Sequence, residues 1–199
     1  MNKAVFLDKD GTLIPDIPYN IDPDKIILMK GAAEGLKLLS DRGYLLIIIT
    51  NQSGVARGYF EEKDLIKVEK KIKDLLQEQD IRLTAFYYCP HHPEGMVKAY
   101  AMSCSCRKPE PGMINEAAKE FQIDVSGSWM IGDILNDVEA ANRAGCNTVL
   151  INNGGETEWV KGEWRTPFFM DNTVEEEAQQ IIRFENAKEH ISHERMEEL

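Results

Sequence analysis

The stretch YLLIIITNQSG, Tyr44–Gly54, sets six apolar residues in an unbroken row before Thr50 and a polar, turn-forming run. A strand with one wet face alternates apolar and polar residues; an unbroken row fits a strand covered on both faces, as in a parallel sheet. Working outward, KAVFLD (3–8), LTAFYYC (83–89), SWMIGD (128–133) and NTVLINN (147–153) repeat the signal, so five strands are expected. Segments of helical period lie between them. In AAEGLKLLSDRG (32–43), Ala32, Ala33, Leu36 and Leu39 share a face and Gly43 supplies a stop. Over 61–79, Leu65, Val68, Ile72, Leu75 and Leu76 form one stripe among lysines and glutamates, and 112–121 and 137–145 read as further helices. Strand–helix alternation at this spacing predicts an α/β fold built on a parallel sheet with right-handed crossovers. The expectation is one domain over 1–185 and a charged tail over 186–199, where a helix from about 174 frays and His190 and His193 are solvated.

The chain has 199 residues, 43% of them hydrophobic and 29% charged, as in ordinary globular proteins. A net charge of -11 argues against a general nucleic-acid or membrane-surface binder, which needs a basic face. No run approaches the roughly 18 apolar residues of a membrane span, and the first residues lack the apolar core of a signal peptide. A cytoplasmic protein is expected. Its cysteines are then metal ligands rather than disulfide partners, except Cys146, which reads as a buried, inert thiol.

In a parallel α/β sheet, ligands sit at the carboxyl ends of the strands. There the first strand offers Asp8 and Asp10 in DKDGT, and the fourth offers Asp133, with Asp137 behind it, in GDILND. Paired carboxylates repel unless a cation lies between them, and Mg²⁺, a hard ion with oxygen ligands, suits that position. Asp is also common as a turn cap, but two acidic clusters at two strand ends make that reading insufficient. Thr50, followed by Asn51, Gln52 and Ser53, supplies donors for an anion, and Lys108 in RKPEPG supplies a compact positive charge suited to phosphate.

DKDGT, Thr50, Lys108 and GDILND, in this order, resemble the four motifs of the haloacid dehalogenase superfamily of phosphotransferases, over residues 4–137. The resemblance implies a Rossmann-like three-layer α/β/α sandwich; no inserted cap domain is visible after DKDGT or between Thr50 and Lys108. It also implies that Asp8 is the nucleophile, passing through an aspartyl-phosphate, and that Asp10 is the general acid and then the base. Mg²⁺ would be held by the Asp8 carboxylate, the Asp10 carbonyl and Asp133, while Thr50 and Lys108 stabilise the transferring phosphoryl group.

Cys89 and His91 are spaced as a clamp, as are Cys104 and Cys106, and together they form a complete tetrahedral set for a structural Zn²⁺. His92 could replace His91 on spacing alone; the family pattern favours His91. Such an ion would staple the loop 89–106 over the pocket and fix Arg107 and Lys108 after its last ligand. TNQSGVARG, YYCPHHPEG and CSCRKPEPGM resemble the D-glycero-D-manno-heptose 1,7-bisphosphate 7-phosphatases, whose neighbours are the histidinol-phosphate phosphatases. By that resemblance, Asp16, Tyr19, Asn51, Gln52, Ser53, Arg57 and Arg107 face the substrate, and Arg107 suits a second phosphate. Ile134 departs from the lysine that often follows the fourth-motif aspartate, and the segment from about 152 onward carries no resemblance. The expected function is therefore a monomeric Mg²⁺-dependent phosphatase acting on a small sugar bisphosphate. The alternatives are a histidinol-phosphate or related small sugar-phosphate phosphatase, and a non-catalytic phosphate-binding scaffold.

Overall fold

The computed structural model of the chain describes residues 1–197, with side chains through residue 190. Six strands form one sheet: β1 Ala4–Leu7, β2 Leu45–Asn51, β3 Leu83–Cys89, β4 Trp129–Gly132, β5 Asn147–Ile151 and β6 Phe169–Asp171. Their order is β3-β2-β1-β4-β5-β6, with every neighbouring pair parallel. Five strands were expected. The sixth, β6, is a three-residue edge strand paired to β5 through Val149↔Phe169, too short to carry a periodic signal.

Alternate residues of the strands feed two layers. Val5, Leu7, Leu46, Ile48, Trp129 and Ile131 pack under α1 (Ala32–Asp41), α3 (Leu65–Gln77) and the start of α6 (Val174–Glu197). Ala4, Phe6, Ile47, Ile49 and Met130 pack under α4 (Gly112–Glu120) and α5 (Leu135–Ala144). The result is a three-layer α/β/α sandwich. In α3, Leu65, Val68, Ile72 and Leu76 are buried, as the stripe predicts. Cys146 is buried. His190 is exposed, and the side chain of His193 lies outside those described. No helix among the described residues is long and apolar enough to cross a membrane.

From β1 the chain builds outward to β2 and β3, then returns to add β4, β5 and β6 on the other side. The order therefore reverses between β1 and β4. There the carboxyl ends of adjacent strands diverge and leave a crevice.

Candidate active site

Every element that reaches this crevice brings a polar side chain. Asp8, Lys9 and Asp10 follow β1, Thr50 and Asn51 end β2, Gln52 to Gly54 lead into the short helix α2 (Gly54–Arg57), and Asp133 follows β4. Together with Asp16 to Asn20, Lys108, Ile134 and Gly155 they line a cleft of about 330 Å³.

Lys108 is its electrostatic centre. Only 3% exposed, it directs Nζ at Asp8 Oδ1 (2.5 Å), Asp137 Oδ1 (2.6 Å) and the Ile49 carbonyl (3.0 Å). Burial opposes its charge, but Asp137 and Asp8 outweigh that cost and hold its pKa above the ordinary lysine value. Asp137, expected behind the site, thus touches Lys108 directly. The carboxylates feel the crowding. Burial, then the charges of Asp8 and Asp137, push Asp133 up to about 8, and burial pushes Asp137 up to about 6. One oxygen each from Asp8, Asp133 and Asp137 lies within 4.8 Å of the others, a group able to hold a cation. A divalent ion fits there because it would offset the repulsion that raises these values, and an all-oxygen donor set suits Mg²⁺.

Asp10 accepts from Lys9 Nζ at 2.5 Å on Oδ1 and from Gln52 Nε2 at 3.2 Å on Oδ2. Burial raises its pKa despite Lys9, with Asp8 adding to the rise. Gln52 also donates to Thr50 Oγ1 at 3.0 Å, so one amide ties the second-strand hydroxyl to Asp10. Lys9 escaped the sequence reading: with 1% exposure and a cleft position, it is a buried cation between two acids.

At 89–106, Cys89, His91, Cys104 and Cys106 converge. Cys89 Sγ is 3.5 Å from Cys104 Sγ and 3.1 Å from Cys106 Sγ, and His91 Nδ1 is 3.4 Å from Cys106 Sγ. A tetrahedral ion with bonds of about 2.3 Å spaces its donors about 3.8 Å apart, so the cage is close to the size zinc requires. His92 is excluded from it. Its Nδ1 accepts from the Glu94 N–H, and its Nε2 lies 3.1 Å from Arg57 Nη2.

Several expected contacts fall elsewhere. No residue of the loop 89–106 lines the cleft; the Met96 and Val97 N–H groups bond the Ala56 carbonyl (2.8 and 2.9 Å) and hold the loop against α2. Residues 16–20 form that rim instead. Asn51 lines the cleft, but its amide is spent on the Lys108 backbone. Asp16, Tyr19, Gln52 and Ser53 do line the cleft. Arg57 and Arg107 do not. Arg107 lies along an adjoining groove with Ser103 and Ser105, donates to the His91 carbonyl at 3.4 Å, and meets the cleft only through Lys108, which borders both. Residues 153–156, which resembled nothing, return to the site through Gly155.

Comparison with known proteins agrees with this geometry. A family model described as "HAD-hyrolase-like" matches residues 105–175. The chain is 41% identical over 174 residues to the D-glycero-beta-D-manno-heptose-1,7-bisphosphate 7-phosphatase of Haemophilus ducreyi, covering 87% of this chain and 95% of that protein. It belongs to this heptose-bisphosphate phosphatase family. The Escherichia coli K12 member is 40% identical over 152 residues, 76% of this chain and 80% of that one. The crystal structure of the family member from B. bronchiseptica, complexed with magnesium and phosphate, superposes with a TM-score of 0.75 at 29% identity, covering 91% of this chain and 98% of that chain.

Proposed function

We propose that this protein removes the 7-phosphate of D-glycero-D-manno-heptose 1,7-bisphosphate through a phosphorylated Asp8, with Mg²⁺ in the cleft and Zn²⁺ at the 89–106 loop. One observation carries the reading: Asp8, Asp10, Lys108 and Asp133 converge at one strand-order reversal, beside a Cys₃His cage, in a chain 41% identical to a heptose-bisphosphate phosphatase.

In the first step an Asp8 oxygen attacks phosphorus and the bond from phosphorus to the sugar oxygen breaks, while Asp10 gives its proton to that oxygen. Water then loses a proton to Asp10 and attacks phosphorus, and the bond to Asp8 breaks to release phosphate. Lys108 aims Asp8 through their ion pair, and Thr50 faces the phosphoryl oxygens. Asp8, Asp133 and the Asp10 carbonyl would hold Mg²⁺, which when bound would supply the positive charge that lets two anions meet.

Among the described residues, Arg57 meets His92 and Arg107 meets the His91 carbonyl, neither of them a carboxylate, and burial, then the charges of Arg107 and Arg57, lower the pKa of His92. Unneutralised cations beside the cleft favour a substrate with a second phosphate. Both metal groups take all their donors from one chain, which supports a monomer, and unpaired thiols support a cytoplasmic setting. A pair of acids as complete as Asp8 and Asp10 has no use in a scaffold.

The test is phosphate release from heptose 1,7-bisphosphate, histidinol phosphate and fructose 1,6-bisphosphate under equal conditions. The heptose bisphosphate is expected to show the highest kcat/KM. A preference for histidinol phosphate would overturn the substrate, and no hydrolysis of any phosphomonoester would overturn the enzyme.

A further inference from the structure

Asp133 is held in a slot made of bare backbone. A Cβ placed on Gly11 would come within 2.0 Å of Asp133 Oδ2, and one placed on Gly155 would come within 2.1 Å of the same atom. One carboxylate oxygen thus lies between two chain segments that are remote in sequence, and neither has room for a side chain. Gly11 belongs to the turn after β1 and takes φ +78°; Gly155 lies in the segment after β5.

A single side chain joins the two walls. Asn153 Nδ2 donates to the Gly11 carbonyl at 2.6 Å, and Asn153 Oδ1 accepts from the Gly155 N–H at 3.0 Å. Beyond the slot, Glu156 Oε2 accepts from the Leu135 N–H at 2.7 Å, which fastens the segment to the first residue of α5. Opposite the slot, Thr12 Oγ1 reaches Asp133 Oδ1 at 3.4 Å. These contacts leave the Asp133 carboxylate little rotational freedom, and it stands in the same group as Asp8 and Asp137.

We propose that residues 153–156 are a strap that positions Asp133 for the divalent cation, with Gly155 as the slot wall and Asn153 as the tie that sets its width. The proposal rests on the reading that Asp133 helps hold Mg²⁺. Mg²⁺ tolerates little departure from octahedral geometry, so a displaced carboxylate should cost it affinity without disturbing the sheet or the zinc cage.

Isothermal titration of zinc-loaded protein with MgCl₂, in the absence of substrate, tests this. Gly155→Ala is expected to weaken Mg²⁺ binding at least tenfold, with zinc content and Tm before Mg²⁺ addition unchanged. Should that variant fail to fold, Asn153→Ala, which adds no bulk, decides the matter with an expected loss of about fivefold. Folded variants with wild-type Mg²⁺ affinity, or a loss matched by lost zinc and lowered Tm, would overturn the strap. A wild-type protein that takes up no Mg²⁺ would overturn the strap and the magnesium reading together.

Discussion

The side chain of Asn51 closes a two-bond ring with the backbone of Lys108: Nδ2 donates to the Lys108 carbonyl and Oδ1 accepts from its N–H, each at 3.0 Å. The last residue of β2 thereby sets the position of a lysine that belongs to no strand. Asn51→Ala removes both bonds, worth about 1 kcal/mol each, so kcat/KM should fall about tenfold to thirtyfold. Steady-state kinetics with circular dichroism would show that loss in a folded protein; unchanged kinetics would mean Lys108 is placed by its carboxylate partners alone.

Lys9 should act through Asp10. Lys9→Met keeps most of the side-chain volume but removes one of the two donors on the Asp10 carboxylate. A loss of a charge-assisted bond, about 1.5–3 kcal/mol, corresponds to about tenfold to hundredfold. It should be largest for sugar phosphates, which need a proton on departure, and smaller for p-nitrophenyl phosphate, which does not. Lys9→Arg should recover part of the rate. Equal losses on both substrates would assign Lys9 to the fold or to the phosphate instead.

Most of the strands, and the convergence of Asp8, Asp10, Thr50 and Lys108 on one cleft, were readable because each has a local cause. An apolar row such as Leu45–Ile49 fits a doubly covered strand, and acids clustered at strand ends repel unless a cation lies among them. What escaped reading depends on long-range placement. Gly155 contributes to the site by lacking a side chain, so its role exists only once Asp133 is beside it. Lys9 sits between two acids, where a lysine looks like charge compensation until its burial is known. The loop 89–106 was expected over the cleft because no cap domain is visible in the sequence, yet the carbonyl of Ala56 draws it to α2. The strand β6, FMD, is too short for any periodic signal.

The Cys₃His cage predicts about one zinc per chain in protein never exposed to chelator. Cys104→Ser breaks a closed set of four donors, and structural zinc sites contribute on the order of 10 kcal/mol to their local module. The variant should lose zinc, melt at lower temperature and show a raised KM, because Arg107 and Lys108 follow the loop. Elemental analysis finding no zinc in the wild-type protein would remove the staple.

Glu177, in the first turn of α6, is fully buried; its Oε1 accepts from the Asp171 N–H at 2.7 Å and its Oε2 has no partner. Burial, with smaller contributions from Asp171 and Glu176, raises its pKa to about 8 from an ordinary 4.5. The folded protein then keeps a proton that the unfolded chain has released, so this group costs stability as pH rises from about 4.5 to about 8. Glu177→Gln cannot titrate. Its Tm relative to wild type should therefore climb across that window and level off above it. A difference independent of pH would show that Glu177 is already ionised in the fold.

The most direct test of the central claim follows heptose 1,7-bisphosphate by ³¹P NMR in the presence of wild-type protein and of Asp8→Asn. The wild type is expected to erase the C7 phosphate resonance, produce inorganic phosphate and leave the C1 phosphate intact; Asp8→Asn, folded and zinc-loaded, should leave both resonances unchanged. Loss of the C1 phosphate, or turnover by Asp8→Asn near the wild-type rate, would contradict the account.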